Sequence, residues 1–84
     1  MLYRIFTENK NHKALEKLVG EYFDGFTLIK SQGFWRLQKE NSLIIEVITE
    51  DTQSKLEMLC RDIKLLNRQE SVILQKIQNE MIFI

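Results

Sequence analysis

Apolar residues in this 84-residue chain recur at two spacings, and the order in which those spacings alternate is the strongest constraint on its fold. Leu2 to Thr7 alternates at period two, with Tyr3 and Ile5 on one side and Leu2, Arg4 and Phe6 on the other. From His12 to Tyr22 the period becomes helical. Ala14, Leu15, Leu18, Val19 and Tyr22 share one stripe, opposite Lys13, Glu16, Lys17 and Glu21. Asn9 and Asn11 are candidate N-caps, and Asp24-Gly25 breaks the helix. Strand character returns at Phe26–Lys30 and Phe34–Leu37. Ser31-Gln32-Gly33 reads as an interruption, with Gly33 a bulge or tight bend, and Lys39-Glu40-Asn41 reads as the hairpin turn.

Leu43–Thr49 is apolar on both sides: Leu43, Ile45 and Val47 alternate with Ile44, Glu46 and Ile48. That pattern predicts a central strand. A second helix follows, with Asp51, Thr52 and Ser54 as N-cap candidates and a capping box from Ser54 to Glu57. Its stripe is Leu56, Leu59, Cys60, Ile63 and Leu66, and Asn67 is its C-cap candidate. Glu70–Ile77 closes the pattern as a strand, with Val72 and Leu74 opposite Ile73, Gln75 and Ile77.

The order β-α-β-β-α-β predicts an α+β, ferredoxin-like fold: a four-stranded antiparallel sheet with two helices on one face. The length fits one domain over residues 1–84. Such a small domain has a thin core, and oligomerisation is a common remedy. The bare sheet face would carry several large apolar groups, as contact surfaces do. The tail over residues 77–84, ending Met81-Ile82-Phe83-Ile84, is expected to add a strand or swapped segment at an oligomer interface.

Charge and side-chain chemistry narrow the function classes. Lys plus Arg equals Asp plus Glu, 12 against 12, so no large basic field marks nucleic acid as a partner. One cysteine and one histidine exclude an internal disulfide and a two-histidine zinc site. No apolar run reaches the ~18 residues of a membrane span, and the start becomes charged too early for a signal peptide. A cytoplasmic location is the expectation. Cys60, on an apolar stripe, is expected to be an inert buried thiol. No cofactor motif is present.

Two constellations could hold a ligand. Lys10, His12 and Lys13 open the first helix, whose dipole and free N–H groups favour anions, and Arg4 on the preceding strand could join them. Trp35-Arg36 could stack a planar ring and pair with a phosphate or carboxylate. The alternative for Trp35 is a place in the core or an interface.

Phe23-Asp24-Gly25 with Thr27, then Gly33-x-Trp35-Arg36, Glu40-x-Ser42 and Gln69-Glu70-Ser71-Val72 resemble an uncharacterised family of small bacterial and phage proteins. The resemblance runs from Phe23 to about Leu74 and implies a ferredoxin-like fold, with no reaction attached. More distantly, the element order is similar to that of trimeric signal-sensing and metal-tolerance proteins, which bind ligands between subunits.

Together these features lead to the expectation of a non-enzymatic homo-oligomer. It would bind a small anionic ligand, such as a nucleotide signal, at a subunit interface. The expected contacts are Trp35, Arg36, Lys13, Arg4, Gln69 and Glu70. A protein-interaction module of a phage or host regulator is the alternative, and a small cofactor-independent enzyme the third reading.

Overall fold

A computed structural model of the chain describes residues 1–78, 82 and 84. Strand β1 (Leu2–Glu8) leads into helix α1 (His12–Tyr22). The hairpin β2 (Thr27–Trp35) and β3 (Gln38–Ile48) follows, then α2 (Gln53–Asn67) and β4 (Ile73–Ile77). The strands form one antiparallel sheet in the order β2-β3-β1-β4. The ferredoxin-like arrangement is therefore the fold of this chain. Among the described residues, no helix is long and apolar enough to cross a membrane. The apolar tail expected as a further strand falls largely outside the described residues.

Alternation sorts the side chains into two layers. Tyr3, Ile5, Leu43, Ile45 and Val47 project to one side, where they meet Leu15 and Val19 of α1 and Leu56, Leu59 and Ile63 of α2. These residues form the core, and most of them are fully buried. Leu2, Arg4 and Phe6 project the other way with Ile44, Glu46 and Ile48, onto a face that no helix among the described residues covers.

Three sequence expectations shift in detail. β2 and β3 pair without a break from Thr27↔Glu46 to Trp35↔Gln38, so Gly33 is neither a bulge nor a bend. A Cβ at Gly33 would come within 3.0 Å of the Ser42 hydroxyl, so glycine there leaves room for Ser42. The turn is Arg36-Leu37, and Lys39-Glu40-Asn41 belongs to β3. The stripe of α2 runs Leu56, Leu59, Cys60, Ile63 and Asn67, with Leu66 more than a third exposed.

Helix ends differ too. Asn11 occupies the N-cap position of α1 at a left-handed φ of 55°, without a side-chain cap. Its amide reaches Leu66 O and Asn67 Oδ1 instead. Thr52 precedes α2 and Ser54 lies inside it, so the capping box does not form. Arg68, not Asn67, takes the left-handed C-cap, because the Asn67 side chain is drawn into the interior. β4 begins at Ile73 rather than Glu70.

Candidate functional site

The β2–β3 hairpin is longer than the rest of the sheet. β1 ends at Glu8 opposite Ser42, and the strands continue past it to a two-residue turn. The molecule accordingly measures 40 × 24 × 20 Å. At the tip, Phe34 is 71% exposed, Trp35 64% and Leu37 fully exposed. The unbroken register places Trp35 on the open-face side and Phe34 on the helix side. The Arg36 guanidinium lies over the Trp35 ring, 5.6 Å from its centre. This is a cation–π contact of the exposed kind.

The turn is built against local preference. Arg36 and Leu37 have φ of 50° and 64°. Two central residues at positive φ define a type I′ turn, which favours Asn-Gly. Replacing Arg36-Leu37 by Asn-Gly is therefore expected to raise stability by about 1–2 kcal/mol. Urea denaturation followed by circular dichroism measures the gain, and an unchanged midpoint would show that the turn is not strained. Backbone strain of this kind gathers where side chains have a task.

The chain brings several predicted residues to the tip's end of the molecule. β1 ends there, α1 begins, α2 finishes and β4 starts, so Lys13, Gln69 and Glu70 share that end with Trp35 and Arg36. Lys10 pairs with Glu8 at 2.9 Å, and His12 faces Asn9 and Glu16. Gln69 is engaged in the scaffold: its Oε1 accepts from Thr7 and Asn67, and its Nε2 donates to Ser71 O. Glu70 is exposed. Arg4 does not join the start of α1, because alternation turns it to the opposite face of the sheet. There its Nε donates to Glu46 Oε2 at 2.6 Å.

Pairing across the sheet writes the open face as rows. Ile29, Ile44, Phe6 and Ile73 form one apolar row. Thr27, Glu46, Arg4 and Gln75 form the next, polar one. Ile48, Leu2 and Ile77 form a third, again apolar. The sequence pattern showed the alternation, but the ion pair between the two apolar rows emerges only from register.

Two depressions lie elsewhere. One, of about 380 Å³, sits at the end opposite the hairpin tip, between Tyr22, Gly25, Thr49 and Lys55. The other, of about 500 Å³, is a shallow hollow beside Lys13, Glu16, Lys17 and Phe26. Both are open to solvent. Tyr22 donates a hydrogen bond to Asp62, and this bond, with the carboxylate charge, raises its pKa above the ordinary 10.0. The bond's contribution to stability is complete below the unfolded tyrosine pKa and is lost as pH rises through the higher folded value. Ultraviolet titration of Tyr22 should show it ionising above a Tyr22 peptide, and in Asp62→Asn the difference should shrink. Burial, with Glu57 nearby, pushes the Cys60 thiol up to about 11, which fits an inert thiol.

The sequence matches no protein-family model and no curated protein. Its fold does have solved counterparts. It is similar to a phage SAM lyase in its apo state, with TM-score 0.69 and 18% identity over 87% of this chain and 75% of that one. A DUF3240 family protein from Shewanella baltica OS155 aligns at TM-score 0.60 and 16% identity, over 98% of this chain and 94% of that one. The de novo designed protein Foldit4 aligns at TM-score 0.55 and 15% identity, over 94% of both chains. These are ferredoxin-like α+β domains in class, and a protein of an uncharacterised family is among them. A lyase and a designed chain on one scaffold illustrate that the scaffold alone carries no function.

Proposed function

We propose that this chain is a non-enzymatic ligand-binding protein that acts as a homo-oligomer and takes a small anionic, nucleotide-type ligand at a subunit interface. The observation that carries this reading is the exposed Trp35–Arg36 pair on a strained turn. An indole face next to a guanidinium suits a flat ring bearing a phosphate or carboxylate. Lys13 and Glu70 lie toward the same end, but Lys13 is on the helix side and Glu70 leads into the far edge strand β4, so they would reach the ligand of Trp35 only from a second subunit. Neither depression of the single chain contains Trp35 or Arg36, so a second subunit would have to supply the walls of the site.

Trp35 is the only tryptophan, so its fluorescence reports on this site alone. Titration with mononucleotides, dinucleotides and S-adenosylmethionine should give a saturable change for one of them, matched by saturable heat. Both signals should disappear in Arg36→Ala, and the heat in Trp35→Leu. Silence across the panel would overturn the reading. S-adenosylmethionine belongs in the panel because one structural counterpart is a SAM lyase, and its consumption during the titration would favour the enzyme reading. The interaction-module reading draws on the same apolar tip of Phe34, Trp35 and Leu37. It predicts silence with small ligands and one protein that co-purifies with the wild type but not with Trp35→Leu.

A further inference from the structure

The open sheet face has a symmetry of its own. The midline of the sheet runs between β3 and β1, with β2 and β4 outside them. A two-fold axis along that midline, lying in the plane of contact, sets β3 over the second copy's β1 and β2 over its β4. Residues of one row then meet residues of the same row. Ile44 lies over Phe6, Ile29 over Ile73 and Ile48 over Leu2, so apolar rows meet apolar rows. In the middle row, Glu46 lies over the second copy's Arg4, and Arg4 over its Glu46. We propose that a second copy of this chain covers the open face in this way, forming a face-to-face dimer whose register is set by an alternating square of two Arg4 and two Glu46 side chains. The proposal specifies the oligomer on which the functional reading above depends.

Charge complementarity carries it. Within one chain only the Arg4 Nε reaches Glu46, and among the described residues its terminal nitrogens have no protein acceptor. A guanidinium has five donors in a planar fork, so those left over are free for a second carboxylate. The pair is half-open now and would be desolvated between two apolar rows, where a mismatched charge is expensive. Stacked sheets rotate about 30° against each other, so register is best kept at the centre, where this pair sits.

Area agrees. Strand spacing and rise give the sheet face a flat projection of roughly 450 Å², and the hairpin tip lies beyond the partner's shorter strands. Side-chain relief takes accessible area above projection, toward the ~600 Å² per partner at the lower end of stable interfaces. Ile73 at 62% and Ile48 at 52% exposure are the residues such a contact would cover. The same rotation puts both hairpin tips at one end of the dimer, each Trp35 facing the plane between the sheets, which places the proposed ligand site between subunits.

The test separates contacts between copies from the ion pair within one. Wild-type protein should sediment at twice the chain mass. Arg4→Glu leaves two acidic groups on the face and Glu46→Arg two basic ones. Each alone should weaken the dimer roughly 30-fold or more. An equimolar mixture of the two should recover the dimer mass, because acidic square edges then meet basic ones. Ile73→Lys, at an exposed edge position, should abolish association while far-UV circular dichroism stays native, which guards against misfolding of the charge variants. A monomeric or trimeric wild type, a single variant that remains dimeric, or a mixture that stays monomeric would overturn the proposal. Mass is read without ligand, so a dimer that is silent in the nucleotide titration refutes the ligand reading and leaves this one standing.

Discussion

Ile45→Ala is expected to cost about 3–4 kcal/mol, most of the stability a domain of this size has. Ile45 is fully buried at the middle of β3, one of the two central strands. On the sheet it stands between Leu28 of β2 and Ile5 of β1, and above it the helix layer closes the core. Truncation removes three carbons and leaves a void that neighbours on a rigid sheet cannot fill. Its partner in the experiment is Ile44→Ala, one residue along and on the open face. In the isolated monomer that change removes partly solvated surface and should cost far less. Urea denaturation at low protein concentration measures both, with Ile45→Val as a graded control at about 1 kcal/mol. Equal losses at positions 44 and 45 would mean that the layers are assigned to the wrong sides.

That these adjacent isoleucines face opposite ways was legible in the sequence, but which of them faces the helices was not. A strand with a buried side has only two possible phases, and the burial of Tyr3, Ile5 and Thr7 against Leu2, Arg4 and Phe6 shows which one the fold takes. The same argument fails in the outer half of the hairpin. Residues 32–41 extend beyond the helices, so nothing buried there enforces a pattern. Local turn chemistry was then the only guide, and it pointed to Gly33 and to Lys39-Glu40-Asn41. The chain instead turns on Arg36-Leu37, two residues that pay a conformational penalty at positive φ. Gly33 answers to a cross-strand hydroxyl, which is a tertiary fact.

The candidate site divides along the same line. Trp35 and Arg36 are neighbours in sequence, and their chemistry could be read directly. Alternation set Arg4 opposite Tyr3 and Ile5 without saying which face that was, and its partner Glu46 lies 42 residues away and needed register to appear. Grouping Arg4 with the start of α1 treated nearness along the chain as nearness in space, and the sheet lies between them. Asn67 was hidden for a different reason. Helical spacing from Ile63 permits either Leu66 or Asn67 on the inner face, and hydropathy chooses leucine. The fold buries the amide because four elements meet at that corner and their polar groups need a shared partner.

Asn67→Ala should therefore cost about 3 kcal/mol or more, as much as a core truncation, although only one amide is lost. Asn67 is 2% exposed. Its Nδ2 stands 2.9 Å from Gln69 Oε1, 3.1 Å from Thr7 Oγ1 and 3.2 Å from Glu8 O. Its Oδ1 accepts from Asn11 Nδ2 at 3.3 Å. Two hydrogens cannot serve three acceptors fully, so the bonds are shared, and Thr7 relieves one by donating to Gln69 Oε1 at 2.5 Å. Removing the amide strands groups on β1, on the entry to α1 and on the approach to β4 together. Thr7→Val tests the connection: if the groups act as one network, the double variant should lose less than the sum of the single losses. Additive losses would mean independent bonds. If Gln69 and Glu70 at this corner belong to the proposed ligand site, the surviving folded fraction of Asn67→Ala should also bind that ligand more weakly. Arg61→Ala, on the outer side of α2, should leave both stability and binding unchanged.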